Sequence, residues 1–298
     1  MRGLRAGDTV AIIAPAGPGA DEQVQQVPAL LAAHGYVARL YPSCQARGGY
    51  LAGPDAQRLD DLHAAIADPG VAAIWCLRGG YGSGRLLGGI DADLVRRHPK
   101  LLIGYSDITA LHALWDRAGL VTLHAPMPAS DLVRPGHEAD AAALFKLLRH
   151  GLPRGSVLAP ALAADALRRP GTASGRLVGG NLSLLASLCG TPWQLRTAGA
   201  LLFIEDVSES LYRVDRLLLQ LRLAGMLSAA AGFVLGSFTE DEDPRAVLED
   251  ALGDLGKPVL GGWPAGHGMP NRPLPLGVMA TLDADAGTLR IDQDALLP

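Results

Sequence analysis

Ser106 stands where a short apolar run, Leu101-Leu102-Ile103, breaks at Gly104-Tyr105-Ser106-Asp107. A helical pattern follows, with Ile108, Leu111, Leu114 and Trp115 on one face. Strand, sharp turn and helix with a serine at the turn describe a nucleophile elbow. Such a turn lifts the hydroxyl clear of the sheet and points the first N–H groups of the helix beside it. The G-x-S-x-G pattern is half met, because Gly104 is present and Ile108 occupies the place of the second glycine. A plain helix N-cap uses the same residue type, and Ser106 alone does not choose between the two.

A second glycine-rich stretch, Arg78-Gly79-Gly80-Tyr81-Gly82-Ser83-Gly84-Arg85, follows the apolar run 71–77. It contains neither G-x-G-x-x-G nor the P-loop pattern, so nucleotide binding has little support. Glycines also let backbone N–H groups approach a reacting atom closely. If the strands before the two turns lie side by side, the Gly80 and Asp107 N–H groups face one point and form an oxyanion hole. The bland alternative is a tight turn with no chemistry.

A serine nucleophile needs a base, and the chain has eight histidines. His34, His63, His98, His137 and His150 fall on helical or solvated stretches. His112 lies inside the elbow helix as a packed residue, and His124 ends a strand where it could line a pocket. His267 is flanked by glycines in a long irregular stretch, 259–276, that no core requires. Long ordered loops of this kind are commonly functional. A neutral imidazole there can accept the serine proton and pass it to a leaving amine. The orienting acid is best sought at Glu205-Asp206, where an apolar strand ends, with Glu209 as fallback. The competing use of Asp206 or Ser208 is to cap the helix at 211–223. There is no H-E-x-x-H and no Cys/His cluster, so neither a metal nor another cofactor is expected.

The elements that must position these residues read as follows. Continuous apolar strands at 8–14, 37–41, 71–77, 101–104 and 120–123 alternate with helices ending near 34 (disturbed by Pro28), at 55–67, in the elbow helix and at 138–149. That alternation predicts α/β architecture: a Rossmann-like N-terminal domain with a mostly parallel sheet over 1–150. Residues 151–172 are Pro- and Ala-rich and read as a linker. The stretch 173–298, with strands at 200–204 and 233–238, helices at 211–223 and 244–255, and a closing hairpin at 278–291, predicts a mixed α+β C-terminal domain. The chain is 49% apolar with a net charge of -4 and no block of like charges. Nucleic acid and anionic membrane surfaces are therefore not expected partners. Cys44, Cys76 and Cys189 are odd in number and widely spaced, which favours a reducing compartment. No apolar run is long enough for a bilayer or a signal-peptide core.

In combination, residues 7–17 (Gly-Asp-Thr-Val-Ala-Ile-Ile-Ala-Pro-Ala-Gly), Arg78-Gly-Gly-Tyr-Gly82, Ile103-Gly-Tyr-Ser-Asp-Ile-Thr109, Gly179-Gly-Asn-Leu-Ser183, Leu202-Phe-Ile-Glu-Asp206 and Gly266-His-Gly268 resemble the LD-carboxypeptidase family of serine peptidases. The likeness runs in order over essentially the whole chain. It implies a Ser–His–Glu triad, carried by matching motif onto Ser106, His267 and Glu205, and an oxyanion hole on the backbone of Gly80 and Asp107. It also implies that the C-terminal domain supplies the Glu and His, and that the protein is a cytoplasmic homodimer.

The implied activity is removal of the terminal D-alanine from murein tetrapeptide, at an L-centre–D-Ala bond, in cell-wall recycling. An exopeptidase must hold the free carboxylate of its substrate. Arg78, Arg85, Arg176 and Arg213 are candidates for that task, each with a structural role as the alternative. A related branch resembles microcin C immunity peptidases, which cleave an aminoacyl- or peptidyl-adenylate. Trp193, in Gly-Thr-Pro-Trp, is the aromatic residue that could stack on a nucleobase. A non-catalytic carboxylate-binding protein on the same fold is the remaining alternative.

Overall fold

The computed structural model describes residues 1–160, 166–239 and 242–297. The chain divides into two compact units. The first comprises Met1–Gly151, Arg272–Leu274 and the C-terminal residues from Leu296; the second comprises Leu152–Asn271 and Pro275–Ala295.

In the first unit the strands Thr9–Ile13, Val37–Leu40, Val71–Cys76, Leu101–Gly104 and Thr122–His124 all pair in parallel. Helices cover the sheet, so Leu101–Gly104 is buried throughout and Val71–Cys76 nearly so. This is why these strands read as continuous apolar runs rather than alternating ones. Val37–Leu40 lies on one side of Thr9–Ile13, and Val71–Cys76 lies on the other, followed by Leu101–Gly104 and Thr122–His124. The chain thus reverses direction across the sheet at Thr9–Ile13. In α/β sheets such a reversal, at the carboxyl ends of the strands, is where the ligand crevice lies, and here it falls between the loops leaving Thr9–Ile13 and Val71–Cys76. Gly17 N–H donates to the Gly79 carbonyl at 3.1 Å across that point.

The second unit is built on a mixed sheet. Thr172–Asn181, Leu201–Val207, Gly232–Thr239 and Val259–Leu260 run parallel at its centre. The expected hairpin, Val278–Asp283 with Thr288–Ile291, is antiparallel and joins Thr172–Asn181. The fold class is therefore the α/β arrangement expected, a parallel sheet in one unit and a mixed sheet in the other. Among the described residues no helix is long and apolar enough to cross a membrane.

The first helix runs Asp21–Ala33 through Pro28, which lies on its exposed face, and ends near residue 34 as expected. Two expectations change. The elbow helix, Thr109–Arg117, is buried from Thr109 through Trp115 and not along one face only. The stretch read as a linker supplies edge strands to the second unit: Val157–Leu158 pairs with Thr288–Ile291, and Arg168–Arg169 with Val259–Leu260. Residues 161–165 of that stretch lie outside the described residues.

Candidate active site

Leu101–Gly104 lies directly beside Val71–Cys76, with Trp75 opposite Ile103. The glycine loop and the elbow therefore leave the sheet at the same edge, the condition set for a shared oxyanion hole. Ser106 has φ +65°. A serine in this left-handed region carries strain of about 1–2 kcal/mol, which packing must maintain. Ser106 is not a cap. Tyr105 precedes the short 3₁₀ turn Ser106–Ile108, Ile108 precedes the helix, and no side chain caps either. The geometry is that of a strained elbow.

The glycines around Ser106 are explained by close approach. A methyl group on Gly79 would sit 2.9 Å from Ser106 Cβ and 3.1 Å from its Oγ. On Gly104 it would meet Ile108 Cγ1 at 3.0 Å and Cys76 Cβ at 3.3 Å. Ile108 thus packs over the space that Gly104 leaves open, which is how the turn forms without the second glycine of the pattern.

Several residues that sequence reasoning missed hold this half of the site. The buried Asp107 carboxylate accepts the Ser83 N–H at 2.8 Å, and the Ser83 hydroxyl donates to the Asp107 carbonyl at 2.5 Å. These bonds lock the glycine loop to the elbow. Arg58 is fully buried; its guanidinium donates to the Gly82 carbonyl at 3.0 Å, to the Pro15 carbonyl and to Asp55. It ties together the loops that leave Thr9–Ile13 and Val71–Cys76. Tyr105 donates its hydroxyl to Asp131 at 3.0 Å.

His112 is packed, as expected, and has a further bond. Its Nε2–H donates to the Gly104 carbonyl at 2.9 Å, underneath the elbow. Burial pushes this imidazole down from 6.5 to about 4. The unfolded chain takes up a proton at this histidine below pH 6.5, whereas the folded chain does so only near pH 4. Its contribution to stability is therefore complete above pH 6.5 and lost as the pH falls toward 4, a change on the order of 3 kcal/mol. Urea unfolding at pH 7.5 and pH 5 will show a clear loss for the wild type and a smaller one for His112→Gln. Equal losses in the two proteins would contradict this account.

The pocket-lining expectation for His124 needs correction. The residue is fully buried at 0% exposure, with its ring 5.6 Å from Tyr105 and 6.3 Å from His112. It backs the elbow from inside the core. Arg85 is held by both Asp55 oxygens at 2.7–3.0 Å. Arg78 donates Nη1 to the Pro18 carbonyl at 3.1 Å.

In the second unit Glu205 and Asp206 follow each other at the end of Leu201–Val207, so their side chains leave opposite faces. Asp206 faces the helix Leu182–Ser187, where it accepts from Asn181 Nδ2 at 2.7 Å and from Ser183 N and Oγ at 3.0 and 2.9 Å. It does not cap the helix Leu211–Leu223, and neither does Ser208: Ser210 precedes that helix without a side-chain bond. Glu205 faces the other way. Its Oε2 lies 2.7 Å from His267 Nδ1, and the His267 backbone N–H also bonds the carboxylate. Burial pushes the Glu205 carboxyl up, and the bond to His267 opposes that shift. Glu209, the fallback acid, is paired with Arg213 at 2.5 Å.

The flanking glycines of His267 are steric requirements. A methyl on Gly266, which has φ +110°, would lie 2.5 Å from Glu205 Oε2, and one on Gly268 would lie 2.7 Å from Ser237 Cβ. Gly236 is equally confined, 2.9 Å from Glu205 Cβ. Two polar residues unmarked in the sequence hold the loop: Asn271 Oδ1 accepts the Gly266 N–H at 3.1 Å, and Ser237 Oγ accepts the Gly268 N–H at 2.7 Å. Arg176 lies mid-strand opposite Met279. Trp193 is half-buried in a turn, its N–H on the Thr191 hydroxyl at 3.2 Å.

The structure thus brings Glu205 to His267 in the second unit and the glycine loop to Ser106 in the first. The first arrangement is an imidazole held by a buried carboxylate. The second is a half-buried hydroxyl on a strained turn beside closely packed backbone.

Comparison with known proteins finds a family match in each unit. Residues 10–125 match the LD-carboxypeptidase N-terminal domain, and residues 174–282 match the LD-carboxypeptidase C-terminal domain. A Bacillus subtilis (strain 168) protein named as a probable murein peptide carboxypeptidase is 39% identical, over 98% of this chain and 93% of its own. The crystal structure of muramoyltetrapeptide carboxypeptidase from Oxalobacter formigenes superposes with a TM-score of 0.86 at 32% identity, covering 97% of this chain and 100% of the other. The microcin C7 self immunity protein MccF, in complex with aspartyl sulfamoyl adenosine, superposes with a TM-score of 0.87 at 25% identity, covering 99% and 98%. The chain belongs to the LD-carboxypeptidase family of peptidases.

Proposed function

We propose that this protein is a serine-type L,D-carboxypeptidase that releases the terminal D-alanine of murein tetrapeptide, with Ser106, His267 and Glu205 as its triad. The observation that carries the reading is the buried Glu205 carboxylate on His267 Nδ1 at 2.7 Å. A carboxylate in that place keeps the proton on Nδ1 and leaves Nε2 as a base.

In this mechanism His267 Nε2 accepts the Ser106 proton as Oγ attacks the carbonyl before D-alanine. The Gly80 and Asp107 N–H groups stabilise the tetrahedral oxyanion. The imidazolium then gives its proton to the D-alanine nitrogen, and the C–N bond breaks. Water, deprotonated by the same imidazole, hydrolyses the acyl-serine and restores the hydroxyl. The names and identities of the relatives support a murein peptide as substrate. We place the activity in the cytoplasm, in recycling of cell-wall peptides, with the protein as a homodimer.

A second reading, cleavage of an aminoacyl-adenylate, is favoured by the MccF likeness and by half-buried Trp193. Mass spectrometry of murein tetrapeptide incubated with the wild-type protein separates the readings. Loss of one D-alanine is the expected result. An intact tetrapeptide together with a cleaved aspartyl-adenylate analogue would favour the second reading. Neither product would leave a carboxylate-binding protein.

A further inference from the structure

We infer that Arg78 reads the free carboxylate of the substrate and so makes the enzyme an exopeptidase. This inference rests on the peptidase reading above. In a peptide the terminal carboxylate carbon is separated from the scissile carbonyl carbon by one nitrogen and one Cα. The two carbons therefore lie within about 4 Å of each other. Whatever cation binds that carboxylate must lie within a side chain's reach of the oxyanion donors.

Arg78 meets this condition. It is two residues before Gly80, and its guanidinium lies along the backbone of the crevice. A methyl on Gly80 would be 3.9 Å from Arg78 Nη2, and one on Gly17 would be 3.7 Å from Arg78 Nε. Its Nη1 is taken by the Pro18 carbonyl. Nη2, on the Gly80 side, has no hydrogen bond among the described residues, and Nε is enclosed without one. An enclosed donor left without a partner is costly, and a bound anion offsets that cost.

Arg47, Arg58, Arg85 and Arg213 each have a carboxylate partner. Arg85 and Arg58 share Asp55, and Arg47 is paired with Asp21. In the second unit Arg213 is paired with Glu209. Among the described residues Arg78 has no carboxylate within ion-pair distance. A cation without a counter-charge beside a proposed oxyanion hole suits an anionic ligand group.

The test compares kcat/KM for murein tetrapeptide with that for the same peptide ending in a carboxamide. Wild-type protein will prefer the acid by about 100-fold or more, because the amide leaves the guanidinium without its partner. Arg78→Gln will bring that preference close to unity. Arg78→Lys keeps the charge without the planar fork and will give an intermediate ratio. The ratio is internal to each protein, so a simple loss of folded enzyme does not move it. A wild-type preference that persists in both variants would overturn the inference and assign Arg78 to holding Pro18. Failure of the wild type to cleave either peptide would instead overturn the peptidase reading, and the role of Arg78 with it.

Discussion

Ser106→Ala will abolish D-alanine release while leaving the fold as stable as the wild type. The loss of turnover will be at least about 1,000-fold, since the covalent route goes with the hydroxyl and only binding and oxyanion stabilisation remain. Stability changes little because Ser106 caps no helix and alanine inherits the same left-handed backbone at φ +65°. Ser106→Gly extends the argument. Glycine adopts this φ without the Cβ penalty, so it will raise the melting temperature while being equally inactive. A chain selected for packing alone would place glycine or asparagine here. Ser208 shares the left-handed backbone at φ +57°, so strain alone assigns no chemistry; at Ser106 it accords with the proposed role of the hydroxyl. Calorimetry and the mass-spectrometric assay on the same preparations check both halves. Ser106→Ala turnover within tenfold of wild type would remove Ser106 from the mechanism.

Glu205→Gln will lower kcat by about 10,000-fold, and Glu209→Gln by less than about threefold. The glutamine is nearly the same size as Glu205, so the packing of Gly236 and Gly266 against it is kept. The chemistry is not. A glutamine amide can donate to His267 Nδ1 and favour the tautomer with its proton on Nε2, where the serine proton must go. Stability at neutral pH will be held or increased. Burial pushes the Glu205 carboxyl above its ordinary value, so its charge opposes folding once the pH exceeds the unfolded value of 4.5. A neutral amide removes that opposition. Glu209 differs because its partner Arg213 is 55% exposed, and a surface pair of this kind contributes at most about 1 kcal/mol. Steady-state kinetics with urea unfolding will separate the cases. The reverse order of activity loss would move the acid to Glu209.

The sequence by itself determined the alternation of buried strands and helices, because a strand covered on both faces must be apolar at every position, as Leu101–Gly104 is. It also marked Ser106, the glycine loop, Glu205 and Gly266-His267-Gly268, since each sits at an element boundary or in a loop where local residue choice is constrained. Only the tertiary structure decided between the paired meanings of those residues. Ser106 as cap or elbow depended on a φ angle. Glu205 rather than Asp206 facing His267 depended on which face of Leu201–Val207 each side chain leaves. His124, which ends its strand as expected, proved to be enclosed under Tyr105. The supports stayed invisible for a related reason. Arg58 on Gly82, Ser83 on Asp107, Ser237 on Gly268 and Asn271 on Gly266 are common polar residues in unremarkable local contexts. Most of their partners lie more than twenty residues away. Such bonds exist only once the sheet order has been set, and no local pattern of a sequence encodes which distant carbonyl or N–H a buried side chain will meet.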